Sequence, residues 1–358
     1  MILVDAHQDI AYNAFAFNRD YTLPAYKKRH LKPLTDQRPG PGRPTLGLPD
    51  SLMGRVAVTF ATVFVAPAGG GMFTDGHEPS YTDARQAHTE GIKQIDYYER
   101  LQDEHEQVQI IHSAKDLDTV LATWAEGTPY AQRVQGLVLL MEGADPIIEP
   151  KQFEEWYERG LRIVGPTWSA GTRYAAGNRE DGPLTTQGME LLEVLADART
   201  ILDTSHLAEQ AFFQAVERYE GPLIASHSNP RHFRESMRNL SDRQIQHLAE
   251  RDGVMGIVTY NLFLNRTWRA GDARLPFTIV LDAIDYICQL TGSAAHVGIG
   301  SDLDGGFGVD AVPQGIDTSG DLWWITTGLR KRGYTEADIE AIAGGNFLRK
   351  LRESLPGS

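Results

Sequence analysis

Met1-Ile2-Leu3-Val4-Asp5-Ala6-His7-Gln8-Asp9 opens the chain: an apolar run, then an imidazole and a carboxylate two residues apart. The run reads as a buried strand. Alternate residues of a strand point the same way, so His7 and Asp9 can grip one cation. The arrangement recurs: Glu142 follows GLVLLM, His206 follows TILDTS, His227 follows PLIAS and Asp302 follows VGIGS. One polynuclear site built from strand ends accounts for all of these positions.

Outward from those runs, the chain beyond residue 130 alternates short apolar stretches with amphipathic ones, the pattern of repeated βα units around a parallel sheet. The apolar runs predict strands at 2–6, 55–65, 136–141, 161–167, 200–205, 222–226, 254–260 and 296–301. Eight strands with intervening helices predict an α/β fold closed as a (β/α)8 TIM-type barrel, which gathers functional groups at the C-terminal strand ends. VQIIH at 108–112 is more polar and is placed outside the sheet. Helices are expected over 83–103, 151–160, 186–198, 207–220, 241–252, 276–291, 321–332 and 335–354. Ser241 and Thr335 serve as N-caps, Gly253 closes one helix, and the last helix seals the barrel.

The 358 residues are expected to form one barrel domain (1–358) with irregular insertions. Residues 32–54 are too rich in Pro and Gly for regular structure, and 66–80 form a loop on the active face, either a lid or a plain surface insertion. With 41% hydrophobic and 23% charged residues the composition supports a large core. A net charge of −14 excludes nucleic acid and anionic membrane as favoured partners and leaves a small molecule. Cys288, alone in IDYICQL, reads as core. With no basic-then-apolar leader and no membrane-length apolar run, the expectation is a soluble, cytoplasmic protein.

Two divalent ions a few ångströms apart take imidazole nitrogen and carboxylate oxygen and need a carboxylate that bridges them. The strand-end groups supply this: His7 and Asp9 for one ion, His206 and His227 for the other, Glu142 for both. Each also has a plainer reading. A lone histidine near a strand end is more often hydrogen-bonded structure than ligand, Glu142 could cap the next segment, and Asp302 and Asp304 could be turn residues in SDLDGG. Their matching topological positions favour the joint metal site. Asp5, one pleat deeper than His7, is a candidate to hydrogen-bond a ligand from behind. His88, His112, His232 and His296 take structural or surface roles, and Asp304 is second choice to Asp302.

The ordered set DAHQD, MEGAD, ILDTSH, IASHSNPR, MRNLSD and VGIGSDLDGG resembles the membrane (renal-type) dipeptidase family, zinc peptidase family M19 of the metal-dependent hydrolase superfamily. The likeness runs nearly end to end. It implies two zinc ions, the first on His7 and Asp9, the second on His206 and His227, with Glu142 as bridge. It places Asp302 where the family keeps its proton-transfer carboxylate, and Arg238 where an arginine pairs with the terminal carboxylate of the substrate, a task suited to the guanidinium fork. It also implies a homodimer. One departure stands out: where the family commonly has a histidine that holds the reacting carbonyl oxygen, GPTWSAGTRYAAG carries Trp168. Tryptophan offers one N–H and cannot take a proton. Trp168 is then a substrate contact or simple packing, and Asn178, Arg173 or Tyr174 are candidate replacement donors.

The resulting expectation is a binuclear metal-dependent dipeptidase that cleaves an amide through a metal-bridging hydroxide. The alternatives are another amidohydrolase on the same barrel (N-acyl-amino-acid deacylase, lactonase or phosphoesterase) and a non-catalytic protein that binds a peptide-like metabolite. HxD with Glu142, rather than HxH with a carboxylated lysine, favours the first.

Overall fold

The structure is a computed structural model that describes residues 1–31, 42–69 and 78–357. Its strands are β1 (Leu3–Gln8), β2 (Val56–Phe64), a short pair β3 (Ala66–Pro67) and β4 (Ser80–Tyr81), β5 (Val108–Ile110), β6 (Gln135–Glu142), β7 (Leu161–Gly165), β8 (Ile201–Asp203), β9 (Leu223–Ala225), β10 (Val254–Ile257) and β11 (Val297–Ile299). The main sheet runs β2-β1-β11-β10-β9-β8-β7-β6, and β6 pairs back onto β2, so the eight expected strands close as a parallel barrel. The closing seam is long, in register from Val58 opposite Gly136 to Phe64 opposite Glu142. Strands β1, β2 and β6 are buried along their whole length, because side chains fill the barrel on one face and helices cover the other.

One expectation about the sheet is overturned. VQIIH is not outside it: β5 pairs parallel with β6 from Val108 opposite Gln135 to Ile110 opposite Leu137. Strand β7 joins β6 only from Leu139 onward, so the first half of that edge would otherwise carry unpaired backbone groups. Val108 and Ile110 are buried while Gln109 is half-buried, which is why the segment looked too polar for a barrel strand.

Within 32–54, residues 32–41 lie outside the described residues, but the remainder is not all irregular: Leu48–Met53 is a helix with Pro49 in its first turn, where a missing N–H costs nothing. Asp50 of that helix accepts from Ala25 N at 2.7 Å. Of 66–80, residues 70–77 lie outside the described residues, and β3 and β4 pair the two ends. Short helices at Ile10–Phe17, Ala25–Leu31 and Ala114–Ala122 were not anticipated. Ser241 caps its helix through a capping box with Gln244, and Thr335 accepts from Asp338 N. The C-terminal helix Asn346–Ser354 packs under β1, β8 and β11, with Phe347 edge-on to Phe60 at 5.4 Å, and so seals the barrel floor. Cys288 is half-buried rather than core. Among the described residues no helix is long and apolar enough to cross a membrane.

Candidate metal centre and substrate pocket

At the C-terminal rim, His7 and Asp9 leave β1, Glu142 ends β6, and His206, His227 and Asp302 lie just past β8, β9 and β11. The fold brings all six together. His7 Nε2 lies 3.9 Å from Asp9 Oδ2, 3.7 Å from Glu142 Oε2 and 4.0 Å from Asp302 Oδ1. The other glutamate oxygen, Oε1, lies 2.8 Å from His206 Nε2 and 3.3 Å from His227 Nε2. Each oxygen of Glu142 therefore faces a different set of candidate ligands. Three subsets have ligand atoms all within 4.8 Å of one another: His7-Asp9-Glu142, Glu142-His206-His227 and His7-His227-Asp302.

Divalent cations fit this donor set. Metal–ligand bonds of about 2.0–2.2 Å place neighbouring donors of a tetrahedral site roughly 3.3–3.6 Å apart, a range that the 2.8, 3.3 and 3.7 Å separations around Glu142 bracket. Both ring nitrogens of His7, and Nδ1 of His206, are buried with no hydrogen-bond partner among the described residues. Burial lowers the His7 imidazole to about 3 and holds His206 and His227 well below the ordinary histidine range, so all three offer neutral nitrogen. Burial also raises Asp9 to about 6, and burial with neighbouring carboxylates lifts Glu142 and Asp302 well above their ordinary range. Positive charge at the centre would relieve that repulsion.

Other residues hold these groups in place. Thr62 Oγ1 donates to Asp9 Oδ1 at 2.5 Å. Asp203 accepts from Ser205 and Ser226, and Ser226 Oγ lies 2.7 Å from His227 Nδ1, which leaves Nε2 to point inward. Asp203, Ser226 and Thr62 were missed by sequence reasoning; an aspartate ending the apolar run before His206 was the available signal for the first. Asp5 does not support a ligand side chain as expected. Its carboxylate accepts from Ser301 N, Ser301 Oγ and Gln8 Nε2, and so pins the residues just before Asp302 and Asp9. Asp302 adopts φ 58°, in the left-handed region that aspartate tolerates better than most residues. Gly305 makes room for it: a Cβ there would lie 1.9 Å from Asp302 Oδ1. Asp304 accepts from Thr45 N and Oγ1 and faces Arg19 at 3.3 Å, a structural clamp.

Above the cluster is a cavity of about 300 Å³, at the small end for ligand sites. Phe64 and Trp168 form one apolar wall, with ring centroids 5.1 Å apart, and Met237 and Phe263 line another part. Trp168 thus both packs and faces the cavity. Arg238 also lines it, held by His227 O at 2.6 Å, Ser228 Oγ at 3.2 Å and Ser205 O at 3.3 Å, with its guanidinium 5.3 Å from the Phe263 ring. Of the candidate replacement donors, Arg173 is turned onto Asp145 and the carbonyls of Asp145, Ile147 and Ile148, and Tyr174 donates to Ile147 O. Asn178 lines the cavity. His88, His112, His232 and His296 lie away from it: His88 and His296 contact backbone carbonyls, and His232 stacks on Tyr286.

The profile of the membrane dipeptidase family, peptidase family M19, matches residues 1–355. The chain belongs to that family. It is similar to an uncharacterized protein in the pqqA 5′ region of Klebsiella pneumoniae, 29% identical over 68% of this chain and 91% of that one. It also matches Dipeptidase 3 of Mus musculus, at 24% identity over 79% of this chain and 55% of that protein. Among solved structures, dipeptidase AC, a metallopeptidase of M19, superposes with a TM-score of 0.79 at 25% identity, covering 100% of this chain and 99% of that one. A Rhodobacter sphaeroides metallopeptidase liganded with a phosphinate mimic of L-Ala-D-Ala shares the fold, at TM-score 0.78 and 24% identity over 99% of both chains. M19 membership makes the chain a metallopeptidase, and the converging imidazoles and carboxylates form groups that could hold a metal ion.

Proposed function

We propose that this M19 protein is a dipeptidase that holds two divalent cations, zinc by family resemblance. His7 and Asp9 would hold one ion, His206 and His227 the other, and Glu142 would span both. The observation that carries this reading is the division of Glu142: Oε2 toward His7 at 3.7 Å, Oε1 toward His206 at 2.8 Å. Bound there, such ions acidify water toward neutrality and polarise an amide carbonyl.

The chain's own residues supply the rest. Three N–H groups of Arg238 are taken by Ser205, Ser228 and His227, which fixes the plane of the guanidinium. Nε–H and one Nη2–H, a single edge of the fork, have no partner among the described residues and suit a terminal carboxylate bound through two parallel hydrogen bonds. Anchored so, a dipeptide places its amide over the cluster, and a longer chain would overrun the cavity of about 300 Å³. Asp302, aimed inward by its left-handed backbone, would take the proton from the attacking water and deliver it to the leaving amine. Phe64 and Trp168 exclude water and contact the substrate's apolar surface.

The test is a parallel assay of the zinc-replete protein on dipeptides, including ones with a D-residue at the C-terminal position, and on N-acyl amino acids, lactones and phosphoesters. Dipeptides are expected to be cleaved fastest. Preferential turnover of another class would reassign the barrel to that chemistry, and binding of dipeptides without cleavage would make it a binding protein.

A further inference from the structure

Asn178 lies 6% exposed in the cavity wall, and its Nδ2 is buried with no hydrogen-bond partner among the described residues. Buried donors are nearly always paired, so an unpaired amide nitrogen on a side chain that borders the cavity, where a half-turn of the amide exchanges its nitrogen and oxygen, points to a partner that arrives with the ligand. The position is rigidly built. Gly177 bridges to Leu207, the residue after His206, and Ala208 N donates to Ala176 O at 3.1 Å. Arg179 N donates to Ser169 O at 3.0 Å, and a Cβ on Gly177 would lie 2.2 Å from Trp168 O. Backbone ties on both sides of Asn178 therefore fix it beside the His206 end of the cluster.

The chemistry of a dipeptide narrows what this amide can meet. Its ammonium only donates, and its carboxylate is matched to Arg238. The acceptor that must sit next to the cluster is the carbonyl oxygen of the bond to be cleaved. Arg173 and Tyr174, two other donors on this loop, are committed to Asp145 and Ile147.

We infer that the Asn178 side-chain amide donates a hydrogen bond to the carbonyl oxygen of the scissile bond and strengthens it as that oxygen gains charge. The inference rests on the dipeptidase reading. A donor fixed in advance stabilises the tetrahedral state more than the planar substrate, so its loss should appear in kcat rather than in KM.

The experiment compares zinc-loaded wild type, Asn178→Ala and Asn178→Asp on the best dipeptide, with metal content, melting temperature and inhibition by a phosphinate dipeptide analogue measured in parallel. Both variants are expected to lose about 10²–10³-fold in kcat, with KM, zinc content and melting temperature near wild type. Inhibition by the tetrahedral analogue should weaken by a similar factor. Variants with wild-type kcat and analogue affinity overturn the inference and leave the dipeptidase reading standing. A rate loss that tracks lost zinc or lowered melting temperature overturns it in favour of a structural role. A wild type that cleaves no dipeptide overturns the reading itself, and the inference with it.

Discussion

The Nε2 atoms of His206 and His227, just past the paired strands β8 and β9, face each other at 3.0 Å at the barrel mouth. Both imidazoles are held neutral, chiefly by burial. His227 can have its proton on Nδ1, where Ser226 Oγ accepts it and in turn donates to Asp203. The lone pair of Nε2 is then directed at the space shared with His206 and Glu142, the geometry a cation would occupy.

That relay predicts a positioning role for Asp203, which does not line the cavity. Asp203→Asn should weaken metal affinity about 10–100-fold, measured by competition with a chromophoric chelator, while the metal-saturated variant recovers most of its rate. Unchanged affinity would remove Asp203 from the account.

Arg238 is predicted to read the free carboxylate. Arg238→Lys keeps the charge but loses the two-bond edge, and charge-assisted hydrogen bonds are worth roughly 1.5–3 kcal/mol. The kcat/KM for a dipeptide should fall about 10–100-fold. A C-terminally amidated dipeptide should be a poor substrate for wild type and little affected by the substitution. Equal losses on both substrates would place Arg238 in the scaffold instead.

Asp302 is predicted to move a proton. Asp302→Asn should lower kcat about 10²–10⁴-fold without loss of metal. Its Oδ1 also lies 4.0 Å from His7 Nε2, so metal analysis of the same preparation distinguishes the roles. Loss of one ion along with activity would make Asp302 a ligand.

Metal uptake should depend on pH with a definite sign. Burial raises the Asp9 carboxyl to about 6 in the metal-free protein, and coordination requires its ionised form. Below pH 6 the proton must be displaced, so affinity falls as pH falls, and Asp9 releases its proton on binding near pH 6 but none near pH 8. His7, lowered to about 3, is already neutral across that range and adds nothing, while Glu142, lifted well above its ordinary range, gives up its own proton in the same direction. Calorimetry in buffers of different ionisation enthalpy measures the release. Affinity that stays flat from pH 8 to 5.5 would contradict the assignment of Asp9.

How much of this was legible in the chain follows from what periodicity can carry. Runs of buried aliphatic residues mark all eight barrel strands because parallel strands are apolar on both faces, and a polar residue ending such a run is conspicuous. Hence His7, Glu142 and Asp302 could be placed at the rim before any coordinates. Strand ends were read too long at 200–205 and 254–260, because residues past Asp203 and Ile257 stay buried after leaving the sheet. VQIIH was misplaced because a three-residue strand filling half an edge needs only two apolar positions. The helix at Leu48–Met53 was hidden by Pro49, which sits harmlessly at its start. The partners of the ligands were the least legible: Thr62 reaches Asp9 and Asp203 reaches Ser226 only through the register of paired strands. Asp5, on the expected face, turned instead to Ser301 across the β1–β11 seam.

The central claim, that one carboxylate serves two cations, is tested most directly by metal content and dipeptide hydrolysis measured together on wild type and Glu142→Gln. The account predicts two ions per wild-type chain, and in the variant the joint weakening of both with collapse of turnover, since the amide keeps the shape of Glu142 but not its charge. A variant that retains two tightly bound ions and full activity would contradict it.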